Sequence, residues 1–97
     1  MDMKKRYPCP CCGDFTLREA PPGSYAICAV CFWEDDGTGD EPVLHPFHDE
    51  PTLQSPSNEG MTLAEARANY ATCGACEPSM VRNVRAPTGE EKGPSKR

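Results

Sequence analysis

Four cysteines constrain this chain more than anything else in it. Cys9 and Cys12 form one C-x2-C pair and Cys28 and Cys31 a second, with fifteen residues between the pairs. That spacing is one used by proteins that hold a metal ion between two cysteine knuckles. Two intervening residues let both thiolates of a tight turn face one ion. Gly13, directly after the first pair, supplies the positive φ that such a turn needs. Four thiolates satisfy a tetrahedral Zn²⁺ completely and leave no vertex open. Iron in a rubredoxin-like site accepts the same donors, so spacing alone leaves it as the alternative.

Length makes the metal necessary. At 97 residues, with 37% apolar residues, 11 Pro and 8 Gly, the chain has room for one small domain with a marginal core. Repeated βαβ units do not fit, and no run approaches the ~18 apolar residues of a membrane span. The start Met-Asp-Met-Lys-Lys-Arg is charged with no apolar stretch behind it, unlike a secretory signal. The expected location is therefore the reducing cytoplasm, where clustered cysteines bind metal rather than pair as disulfides. The odd total of seven cysteines points the same way. Cys11 stands one residue from Cys9, a poor bite for a tetrahedral site, and is expected to be a buried non-ligand.

Charge narrows the partners. The net charge is −5, but residues 14–65 carry eleven acids against the single base Arg18, while the two ends are basic. Nucleic-acid binding depends on clustered Lys and Arg, so it is disfavoured here. A nucleic-acid-binding zinc ribbon stays only as a rival reading. The run Glu34-Asp35-Asp36, with Asp40 and Glu41, reads as a solvated acidic loop whose partner, if it has one, is a basic protein surface.

Along the chain, residues 1–6 read as a basic leader. Phe15–Arg18 and Tyr25–Cys28 alternate as two strands around the turn Pro21-Pro22-Gly23-Ser24, which predicts a β-hairpin whose open end joins the knuckles. Phe32 and Trp33 are expected to cover the metal site with apolar bulk. Residues 34–60 read as a long irregular Pro-rich loop. Thr62 through Glu65 matches a capping box, and Leu63, Ala66 and Tyr70 share one face, predicting a helix over about 62–73 ended by Gly74. That face is expected to pack on Phe15, Leu17 and Ile27. Residues 79–84 suggest one further helical turn, and 86–97 a disordered tail.

A second metal site is conceivable from His45, His48, Cys73 and Cys76, a Cys₂His₂ set. Cys73-Gly74-Ala75-Cys76 also has the form of a redox pair, but the predicted helix would place it at a C-terminus, where the dipole opposes a thiolate.

Tyr7-Pro8-Cys9-Pro10-Cys11-Cys12-Gly13, Pro22-Gly23-Ser24-Tyr25 and Val30-Cys31-Phe32-Trp33-Glu34-Asp35-Asp36-Gly37 resemble the bacterial cysteine-rich CPCC family. The likeness continues at Asn58, at Leu63–Tyr70 and at Val84–Pro87. It departs in the acidic loop 38–57 and at Cys73 and Cys76. The resemblance implies paired knuckles similar to those of zinc ribbons and carries no established activity. The expected fold is a small metal-stabilised α+β domain over 7–85, a zinc-ribbon-like β-hairpin with two Cys knuckles plus one C-terminal α-helix. Its expected role is structural Zn²⁺ binding in an accessory or protein-interaction module without catalysis. Cys9, Cys12, Cys28 and Cys31 are the expected ligands.

Overall fold

The computed structural model describes residues 6–92. Most of the leader lies outside that range, as do the last five residues of the expected tail. Two turns of nearly identical backbone form the centre. In the first, the Cys9 N–H donates to the Asp14 carbonyl at 2.9 Å, and the Gly13 N–H donates to the Cys9 carbonyl at 2.8 Å. In the second, the Cys28 N–H donates to the Trp33 carbonyl at 3.0 Å, and the Phe32 N–H donates to the Cys28 carbonyl at 2.8 Å. Each turn places one residue at positive φ just after its second cysteine, Gly13 at 80° and Phe32 at 72°.

Each knuckle closes its own small antiparallel ladder. Strand β1 (Tyr7–Pro8) pairs with β2 (Phe15–Leu17) in the register Tyr7↔Leu17 and Pro8↔Phe15. Ile27 bridges to Glu34, with Tyr25 and Asp35 extending the contact. This corrects the expected hairpin. Phe15–Arg18 does not pair with Tyr25–Cys28; each segment pairs with residues across its own knuckle. The physical reason is local closure. Each knuckle turn carries its own backbone hydrogen bond, Gly13 N–H to the Cys9 carbonyl and Phe32 N–H to the Cys28 carbonyl, which sets its flanks side by side, whereas Pro21 and Pro22 have no N–H to give to the other turn.

In the acidic segment Asp40 and Glu41 are exposed as expected, but Asp35 and Asp36 are buried and held by donors. The Asp35 carboxylate accepts from Gly23 N–H (3.0 Å), Ser24 N–H (2.9 Å) and Ser24 Oγ–H (2.7 Å). Asp36 accepts from Ser55 Oγ–H at 2.6 Å and from the Thr38 N–H at 3.0 Å. Asn58 donates to Ser55 Oγ and to the Glu34 carbonyl, and accepts from the Glu34 N–H. Asp35, Asp36, Ser55 and Asn58 are all buried. Burial pushes the Asp36 carboxyl up, but the donors from Ser55, Thr38 and Ser57 outweigh it and hold the group below its ordinary range. Strands β3 (Gln54–Ser55) and β4 (Met61–Thr62) pair around a 3₁₀ turn at Pro56–Asn58.

Helix α1 (Leu63–Cys73) follows directly. Thr62 Oγ1 accepts from the Glu65 N–H, and the Glu65 carboxylate accepts from the Thr62 N–H, the expected capping box. Gly74 ends the helix at φ 85°, its N–H donating to the Tyr70 carbonyl. Leu63 and Ala66 are buried with Leu17, Val30, Trp33 and the cysteines, and Tyr70 packs at the edge. Ile27, expected in this core, is half exposed. A 3₁₀ turn at Pro78–Asn83 matches the expected further helical turn. The tail differs from expectation: Gly89–Lys92 forms a short helix, α2, clamped by Glu91 to Arg85 at 2.7 Å. The whole is a small α+β fold with two strand pairs, one main helix and a four-cysteine cluster.

Candidate metal centre

The two knuckles face each other and bring four sulfurs together. Cys9 Sγ lies 3.6 Å from Cys31 Sγ, and Cys12 Sγ lies 3.7 Å from Cys28 Sγ. All four sulfurs fall within 4.8 Å of one another, and all four residues are buried. A tetrahedron with metal–sulfur bonds of ~2.3 Å has sulfur–sulfur edges of about 3.8 Å. Two edges are therefore already at coordination length. The four cysteines are positioned to bind a metal ion.

The electrostatics ask for a cation. Hydrogen bonds from Cys12, then Cys31 and Cys9, pull the Cys28 thiol far below its ordinary range. Cys12 is pushed up, chiefly through Cys28, and Cys31 is pushed up, chiefly through Cys11. Four thiolates at this spacing in a buried site repel one another, so without a positive charge some stay protonated. A divalent ion reverses that preference and releases the protons.

Cys28 has two further donors. Thr16 Oγ1–H donates to its sulfur at 2.9 Å and the Val30 N–H at 3.3 Å. Strand β2 delivers Thr16, so the first knuckle's ladder supports a ligand of the second. The Trp33 ring is fully buried in the same cluster and Phe32 packs against it, as the sequence led us to expect. Tyr70 donates to the Asp14 carboxylate at 3.4 Å, and burial together with that carboxylate pushes the phenol up, keeping it a neutral donor.

Cys11 is buried in the cluster, with its thiol against Cys31, but is not one of the four grouped sulfurs. Cys76 is also buried there, its N–H donating to the Cys31 carbonyl at 2.8 Å. Burial, followed by the charge of Cys11, pushes its thiol up to about 12. Cys73 is exposed at the C-terminal end of α1, so the C-x-x-C pair does sit at the helix end that disfavours a thiolate.

The proposed second ligand set is not assembled. His45 and His48 lie close, with ring centroids 6.1 Å apart, but His45 Nε2 is engaged by Thr38 Oγ1 at 3.1 Å. Cys73 and Cys76 do not join them: among the described residues, the four knuckle cysteines are the one group of three or more metal-binding side chains brought together. The loop buries His45 against Thr38, while Cys73 ends α1 and Cys76, beyond Gly74, is held at the Cys31 carbonyl. Sequence reading missed the roles of Thr16 and of Phe32's positive φ. The matching frames Cys-x2-Cys-Gly and Cys-x2-Cys-Phe were the available signal for the latter.

Fold and site together define a small cysteine-rich domain built around a four-thiolate metal-binding cluster. A family model described as Cysteine-rich CPCC matches residues 7–91. The chain belongs to that family. No curated protein and no solved structure matches it.

Proposed function

We propose that this protein is a structural zinc protein, a zinc-ribbon-like accessory or interaction module with no catalysis of its own. The observation that carries the reading is the buried four-sulfur set, all within 4.8 Å of one another and with two edges, 3.6 and 3.7 Å, at tetrahedral coordination length. Cys9, Cys12, Cys28 and Cys31 would hold Zn²⁺, which when bound supplies charge neutralisation and folding free energy of ~10–16 kcal/mol. Four protein thiolates leave no position for water or substrate, which argues against hydrolytic chemistry at the metal. The acidic middle of the chain favours a protein partner over nucleic acid. Free thiols and a thiolate metal site suit a reducing cytoplasm. Independently of that reading, no helix among the described residues is long and apolar enough to cross a membrane.

Native mass spectrometry on protein expressed without added metal, with thiol counting, tests the proposal. One zinc per chain and three titratable thiols are expected. Iron with visible colour would replace it with the rubredoxin-like electron-transfer reading. Paired cysteines without metal would overturn both zinc and cytoplasm. Salt-sensitive binding of DNA or RNA would favour a nucleic-acid-binding ribbon.

A further inference from the structure

A small apolar groove opens beside the second knuckle. Ile27, Phe32, Met61 and Met80 line it, and its cavity holds about 50 Å³. Four separate stretches build it: the second knuckle, the Pro56–Asn58 turn with its cap Glu59, strand β4, and the chain beyond α1. Asn58 holds the knuckle flank through the Glu34 N–H and carbonyl at 2.9 and 2.8 Å. The Cys76 N–H holds the chain beyond α1 to the Cys31 carbonyl at 2.8 Å. The groove is therefore assembled on the knuckle that presents Cys28 and Cys31 to the metal centre.

The charge at its border has one sign. Glu34, Glu59 and Glu77 all line the groove, and among the described residues no base does. Arg82 shares a turn with Met80 but is not part of the lining. Among the described residues, none of the three carboxylates is in an ion pair. Ile27 is half exposed although its side chain is apolar. Two non-glycine residues here sit at positive φ, Phe32 at 72° and Glu59 at 60°. Such backbone persists only where the surrounding structure fixes it, and it clusters at ligand clamps.

We propose that this groove docks a basic segment of a partner protein, taking up one arginine or lysine side chain. The inference rests on the interaction-module reading and names its surface and the chemistry of its partner. A cavity of about 50 Å³ suits a single side chain rather than a small-molecule ligand, whose sites run to about 300–1,000 Å³. Arg and Lys bury their aliphatic stems on apolar surface and keep the charged head at its edge. Here the stem lies along Ile27, Met61 and Met80, and the head meets Glu34, Glu59 and Glu77. Unbranched Met adapts its shape to what it binds. The same border repels nucleic acid and acidic peptides. The walls depend on the knuckle, so docking belongs to the metal-loaded form.

Titration of the zinc-loaded, ¹⁵N-labelled full chain with acetylated, amidated tetraarginine tests this, followed by amide NMR. Zinc content is measured on the same samples. Saturable shifts are expected at Ile27, Glu34, Glu59 and Glu77, shrinking as salt rises. A tetraglutamate peptide should give none. The exposed acids Asp40, Glu41, Asp49 and Glu50 lie outside the groove and supply the internal control. Glu59→Gln should weaken binding about threefold. Ile27→Thr keeps the charge and the β-branched shape, and should weaken it by a similar factor. Shifts spread equally over Asp40, Glu41, Asp49 and Glu50, binding unaffected by Ile27→Thr, or no shift at all would overturn the proposal. If zinc is bound in such a sample, the metal reading stands while the docking site fails.

Discussion

Thr16 offers the sharpest test of how the fold tunes its ligands. Its hydroxyl donates to Cys28 Sγ at 2.9 Å, a short contact for sulfur. Thr16→Val keeps the β-branched shape that suits strand β2 and removes only the donor. A hydrogen bond to a charged acceptor contributes roughly 1.5–3 kcal/mol. Outer-shell partners of metal ligands typically govern 10- to 100-fold in affinity, about the same free energy. Thr16 is only half-buried, so water can reach the vacated sulfur, and the lower end, about tenfold, is expected. Competition against a chromophoric zinc chelator measures the change directly. Thr16→Ser retains the hydroxyl and should stay close to the parent. Unchanged affinity in Thr16→Val, or equal losses in Val and Ser, would show that the hydroxyl does not stabilise the thiolate.

Three further outcomes can be checked. Gly13→Ala places a side chain at φ 80° and should cost about 1–2 kcal/mol in urea unfolding of the metal-loaded protein. Ser55→Ala removes a 2.6 Å bond to buried Asp36 and one of the two bonds that Asn58 Nδ2 donates; a loss of about 1.5–3 kcal/mol is expected by the same assay. Glu91 is lowered from 4.5 to about 2, first by its hydrogen bond to Arg85. Because the folded value is depressed, its contribution is complete above pH 4.5 and is lost as pH falls toward about 2. An NMR titration of the Thr88 and Glu91 amides should therefore show a midpoint near 2, and a midpoint of 4.5 would deny the clamp.

The features legible in the sequence were those set by short-range spacing. The knuckles follow from two C-x2-C pairs, and α1 from a capping box at Thr62 and Glu65 with Gly74 behind it. Both are fixed by residues within four positions of each other. The long-range pairings were not legible. Strand β1 is only Tyr7–Pro8, too short for any alternation, so β2 was assigned to the wrong partner. Asp35 and Asp36 look like surface acids until Ser24 and Ser55 arrive as donors from eleven and nineteen residues away. Composition reads such carboxylates as solvated, because their burial depends on partners that only the fold supplies. His45 and Cys76 were matched by ligand type, yet each found a different neighbour, Thr38 and the knuckle backbone.

The central claim is that the four knuckle cysteines hold one zinc in a closed sulfur shell. X-ray absorption at the zinc edge on the purified protein tests it most directly. The account predicts four sulfur scatterers at ~2.3 Å and no nitrogen or oxygen in the first shell. A shell containing a light-atom ligand, or an absorbing metal other than zinc, would contradict it.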